Sequence, residues 1–119
     1  MNHFLLIFLG GGLGAVSRYS LTLFMQSPAS RMPWGILTCN LLGSLLIGVV
    51  YGMTKTHQPA WLSPLAVTGF LGGFTTFSTF ALDTHKHLEA GFPHIAALYI
   101  GISLIGGITL CYLGYRLAA

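Results

Sequence analysis

Gly69-Phe70-Leu71-Gly72-Gly73-Phe74-Thr75-Thr76-Phe77-Ser78-Thr79-Phe80 lies inside an apolar stretch, yet it holds three glycines and four hydroxyl side chains. Each glycine weakens a helix. At membrane depth, non-helical backbone survives only where protein or a water-filled cavity surrounds it. The stretch therefore reads as a broken membrane helix that lines something. The phenylalanines between the hydroxyls make that lining partly aromatic.

The rest of the chain fits a membrane setting. Of 119 residues, 54% are hydrophobic and 6% charged. Soluble domains carry roughly a quarter charged residues, so these charges cannot cover a soluble core. Four apolar stretches stand out, about Phe4–Met25, Trp34–Thr54, Trp61–Leu82 and His94–Arg116. Each is near the roughly 20 residues that cross a hydrocarbon core. The links carry breakers: Ser27-Pro28, Pro33, Gln58-Pro59, Pro64, Gly91 and Pro93. Trp34, Tyr51 and Trp61 fall near span ends, where amphipathic rings favour the interface. The first stretch lacks a basic leader and three spans follow it, so it reads as a span, not a secretory signal. We expect one all-α domain over residues 1–119.

Positive charge is spread thinly, at net +3, with no basic patch for nucleic acid. If the spans alternate, Lys55 and Arg116 share one side, and Arg31 and Lys86 the other. The positive-inside rule then gives no orientation. A chain without bias can insert both ways, and opposite copies can pair about a two-fold axis in the membrane plane. The alternative is that a weak bias or a partner still fixes one orientation. Gly10 and Gly14, then Asn40, Ser44 and Gly48, then Tyr99, Ser103 and Gly107 recur at intervals of four, as in closely packed membrane helices.

Arg18 is the one charge well inside a predicted span. It either faces a polar cavity or snorkels to the interface. Asp83 ends the third stretch and Glu89 lies in a link, so no carboxylate sits where a proton-coupled cation exporter needs one. Amide, hydroxyl and guanidinium groups suit an anion instead. An N–H or O–H donates to it, and the positive edge of an aromatic ring can face it. Cys39 and Cys111 read as small buried apolar residues. No nucleophile–base pair or metal-ligand spacing suggests an enzyme.

These residues carry a resemblance. Gly10-Gly11-Gly12-Leu13-Gly14-Ala15-Val16-Ser17-Arg18-Tyr19 is similar to the first-span signature of the Fluc (CrcB) family of fluoride channels. Asn40 followed by Leu41-Leu42-Gly43-Ser44 resembles its second span, and Gly69 to Phe80 its broken third span. The match runs in order along essentially the whole chain.

The resemblance implies four transmembrane helices per subunit, the third broken near Gly72–Thr75, in an antiparallel dual-topology homodimer. It implies two fluoride pores per dimer, in a bacterial inner membrane. Phe77 and Phe80 correspond to the pore phenylalanines, Asn40 to the pore asparagine, and Ser78 and Thr79 to a polar track. Tyr99 and Ser103 match a fourth-span pair in spacing. A structural sodium ion at the dimer axis would be held by the backbone carbonyls of Gly72 and Thr75 from each subunit. Asp83 stands where the family commonly has glutamate, a departure that leaves its role open. The function expected is passive fluoride export. The alternatives are a small multidrug-type antiporter, for which a buried acid would be needed, and a non-transporting membrane scaffold.

Overall fold

The computed structural model describes residues 2–119, and its secondary structure among them is helical. Helix α1 spans His3–Phe24 and α2 spans Trp34–Met53. The third membrane-length segment, Ser63–Glu89, contains α3 and α4. Helix α3 is π-wound over Ser63–Leu71 and α-wound over Gly72–Phe74, and α4 spans Ser78–Glu89. The fourth, α5, covers Pro93–Ala118 and is π-wound over Ile102–Gly106. These four segments are long and apolar enough to cross a membrane.

Local chemistry sets the ends. The Asn2 side chain accepts from the Phe4 N–H at 2.8 Å and caps α1. Gly91, at φ 86°, closes α4. There the Phe92 N–H reaches the His87 carbonyl and the Gly91 N–H reaches that of Leu88, a Schellman arrangement that only glycine forms without strain. The helix outlasts the apolar stretch that ended at Leu82, because residues 83–89, polar apart from Leu88, extend α4 past the greasy run.

Two close helix pairs make the scaffold. A Cβ on Gly10 or Gly14 would collide with the α3 backbone at Leu65 and Phe70, so α1 and α3 touch main chain to main chain. Gly48 meets the Cys111 carbonyl and Gly114 meets that of Leu45, which brings α2 and the end of α5 together in the same way. A small apolar core of Leu37, Phe80 and Tyr99, flanked by Met32, Leu41 and Ile102, ties α4 to α2 and α5. Large apolar side chains point outward, among them Phe4 at 83% and Phe24 at 86% exposure, as a lipid-facing surface requires.

The chain ends and links pair as alternating spans would bring them. The Lys55 ammonium donates to the Tyr115 hydroxyl at 2.8 Å. That hydrogen bond holds the Lys55 pKa above its ordinary value, keeping the charge at this end. At the opposite end His87 reaches the Arg31 carbonyl at 2.7 Å.

Candidate functional site

The site is built around three residues without regular helix. α3 stops at Phe74, Thr75 is extended at φ −95° and ψ 157°, and α4 begins at Ser78. The freed backbone groups find partners on other helices. The Thr76 N–H donates to Asn40 Oδ1 at 2.8 Å, and Asn40 Nδ2 donates to the Thr76 carbonyl at 3.0 Å. One amide side chain thus satisfies both backbone polar groups of one residue of the interruption. Arg18 Nε donates to the Gly73 carbonyl at 3.0 Å. Its guanidinium sits against the carbonyl end of α3, where a positive charge is favoured. The Thr76 hydroxyl accepts from the Thr79 N–H at 3.3 Å and caps α4.

This rewiring leaves the carbonyls of Gly72, Phe74 and Thr75 without a donor. The Gly72 oxygen loses its helical donor because the Thr76 N–H turns to Asn40. The Thr75 oxygen loses its own because the Thr79 N–H turns to Thr76. The carbonyls of Gly73 and Thr76 are taken by Arg18 and Asn40. Gly72 is exposed and has no side chain to shield its oxygen. Neutral, hard oxygens suit a hard monovalent cation. The Gly72 and Thr75 oxygens alone do not fill a coordination shell, so they would fit sodium only if a second copy doubled them.

Beside the interruption lies a cleft of 380 Å³. Asn40, Phe77, Phe80 and Ser103 line it together, with Leu71 and Thr76. The Phe80 ring is 8% exposed and meets Tyr99 edge-on at 5.0 Å, while Phe77 is 75% exposed at 5.6 Å from Phe80. One ring is anchored and the other is open. Ser103 Oγ is buried without a hydrogen-bond partner. A hydroxyl in that position can donate to whatever enters the cleft, and buried orphans of this kind call for such an explanation.

Gly72 and Thr75 line this cleft as well, and the other expected residues lie around it. Thr79 lines a second cavity of 380 Å³ with Arg18, Thr22, Gln26 and Asp83. Ser78 connects through Thr76, their hydroxyl oxygens 3.5 Å apart. Tyr99 stands behind Phe80, fully buried, its hydroxyl 3.4 Å from Asp83 Oδ2. The helix runs on past Asp83 to Glu89. Asp83 sits within α4, half-buried, on the wall of the second cavity.

Sequence reasoning missed Thr76, which both pairs with Asn40 and caps α4. A threonine three residues before another helical residue is a capping signal, but the surrounding run of hydroxyls hid it. Ser44, which donates back to the Asn40 carbonyl at 2.7 Å, was read only as a packing residue.

Comparison with known proteins shows the family of the chain. Residues 5–115 match the family model described as CrcB-like protein, Camphor Resistance (CrcB). The chain is similar to a "Fluoride-specific ion channel FluC" of Dichelobacter nodosus, 46% identical and covering 99% of this chain and 98% of the relative. A protein of the same name from Bordetella bronchiseptica is 46% identical over 94% of this chain and 88% of the relative. One from Leptospira interrogans is 44% identical over 92% and 89%.

Proposed function

Because the chain belongs to the CrcB-like family, whose named relatives are fluoride channels and not enzymes, we propose that it is a passive fluoride-selective channel. It works as an antiparallel homodimer with two pores and exports fluoride across a bacterial inner membrane. The observation that carries this reading is the unpartnered Ser103 hydroxyl in a cleft shared with Asn40, Phe77 and Phe80.

Fluoride is small and strongly hydrated, so a pore has to replace water hydrogen bonds without binding too tightly. In this proposal Ser103 and the second Asn40 amide hydrogen donate, and the ring edges of Phe77 and Phe80 give weaker electropositive contact. Thr79 and Ser78 continue the donors outward, and Arg18 holds positive potential at the second cavity. Tyr99 fixes Phe80 from behind. When bound between two copies, sodium on the carbonyls of Gly72 and Thr75 would add a fixed positive charge near the anion path. Hydrogen fluoride that enters from an acidic exterior dissociates in a neutral cytoplasm, so a passive anion path suffices for export.

Liposomes containing the purified protein should release fluoride and retain chloride. Equal release of both, or of neither, would remove fluoride selectivity from the proposal. Adding two lysines next to Lys55 should bias insertion and silence the variant alone. A copy biased the other way should restore flux on co-expression, and full activity of either biased variant alone would defeat the antiparallel dimer.

A further inference from the structure

Away from the break, a cavity of 400 Å³ opens between the 25–33 link and the end of α4. Its wall includes Ser30, Arg31, Lys86, His87 and Phe92, and no carboxylate. We propose that it binds a phosphate-type oxyanion, which in the membrane is the headgroup phosphate of an anionic lipid.

The donors are held and unspent. The Arg31 guanidinium carbon lies 3.8 Å over the Phe92 ring, a stacking that fixes the fork without consuming its N–H groups. Among the described residues neither Arg31 nor Lys86 makes an ion pair; the one such pair joins His85 to Glu89, and neither of those lines this cavity. Asp83, the other carboxylate nearby, turns to the Tyr99 hydroxyl and lines the neighbouring cavity. Ser30 Oγ accepts from Trp34 Nε1 at 2.8 Å and from the Met32 N–H at 3.3 Å. Its own hydrogen is left to donate elsewhere.

His87 completes the wall. Its Nδ1 lies 2.7 Å from the Asp83 carbonyl and its Nε2 2.7 Å from the Arg31 carbonyl. Carbonyls only accept, so both bonds form together only when both ring nitrogens carry hydrogen, as in the imidazolium. That ring latches the link carrying Arg31 to α4.

A guanidinium fork, an ammonium and a hydroxyl, with no carboxylate on the wall, form a donor set for a multi-oxygen anion. The cavity is far wider than a monatomic halide needs. It opens where α2 and α5 begin, beside the Trp34 and Phe92 rings, at the depth where headgroups meet basic residues.

The test uses Trp34 as the reporter, in a Trp61→Phe background, in phosphatidylcholine vesicles. Brominated phosphatidylglycerol should quench Trp34 saturably and far better than brominated phosphatidylcholine. Arg31→Gln with Lys86→Gln should weaken that preference about tenfold, about 1.4 kcal/mol. Lys86→Gln alone, which breaks no contact within the chain, should lose part of it even if the double variant does not fold. Lys55→Gln, at the other end, should lose nothing. Inorganic phosphate that displaces the lipid would support the same donors and identify a soluble occupant as well. Equal quenching by both lipids, with no displacement by inorganic phosphate, would overturn the site. So would a loss in Lys55→Gln matching that in Lys86→Gln, because diffuse surface charge would then explain the preference.

Discussion

The third and fourth membrane segments start from the same defect and end differently. Both are π-wound part way along, over Ser63–Leu71 and Ile102–Gly106, and both carry glycines there. The fourth returns to α-helix at Gly107 without a gap. The third gives up helical backbone at Thr75 and resumes at Ser78. What differs is the company. Arg18 on α1 and Asn40 on α2 take over the backbone groups that the third segment releases. The π-wound part of α5 meets no such side chain, and its Ser103 hydroxyl is itself without a partner. Glycine and winding make an interruption possible. Polar side chains on neighbouring helices make it tolerable where water is absent.

The largest expected effect comes from removing that company. Asn40→Ala leaves the Thr76 N–H and carbonyl unpaired, at about 1–3 kcal/mol each. Its thermal midpoint in detergent should fall by several degrees and flux should collapse. Asn40→Asp keeps an acceptor for the Thr76 N–H but turns a carboxylate oxygen toward the Thr76 carbonyl and the anion path, so flux should vanish there too. Ser103→Ala is the counterpart on α5. It deletes a buried orphan, so stability should hold or rise while flux falls. If Asn40→Ala kept wild-type stability and Ser103→Ala lost it, support for the interruption would have been assigned to the wrong helices.

This contrast also marks what could be read from residues alone. The four spans were legible because lipid demands long apolar runs, and the hydroxyl and glycine cluster at Gly69–Phe80 was legible because such a run does not need it. The partners were not. Asn40 was expected to face the anion, and nothing in its neighbours along the chain told of a bond to Thr76, 36 residues away. Arg18 to Gly73 is the same kind of contact, a side chain on a backbone oxygen 55 residues off. Such pairings depend on how glycine faces let α1 lie on α3, which periodicity alone does not specify. The length of α4 was hidden for a simpler reason: hydropathy marks where the apolar run ends, and the helix continues past it to Glu89.

A smaller effect separates the two rings of the third segment. Phe80→Ile trims a ring packed on Tyr99, at about 1–2 kcal/mol, and should cut flux strongly. Phe77→Ile alters a ring that is 75% exposed, so stability should barely change while flux still falls. Dimer formation is checked alongside by size-exclusion chromatography. Wild-type flux in Phe77→Ile would reduce that ring to a lipid contact and leave Phe80 as the only aromatic wall of the cleft.

The smallest effect compares one glycine from each segment. A Cβ on Gly101, just before the π-wound part of α5, meets nothing within 4 Å. On Gly72 it meets only the Val67 carbonyl, at an ordinary 3.6 Å. Within one chain the two alanine variants should therefore behave alike, each gaining up to about 1 kcal/mol of helix propensity. Two copies joined through the Gly72 and Thr75 carbonyls would break that equality. Gly101→Ala should then show wild-type flux and a slightly raised midpoint. Gly72→Ala should dissociate at higher protein concentration and lose flux, because the added methyl lies where the second copy and the cation approach. Thr75→Val removes a hydroxyl that donates to the Leu71 carbonyl but leaves the Thr75 carbonyl in place, so sodium dependence should persist. Gly72→Ala indistinguishable from Gly101→Ala, in dimer dissociation and in flux, would mean that this exposed glycine faces lipid. The spare Gly72 and Thr75 carbonyls would then need another partner.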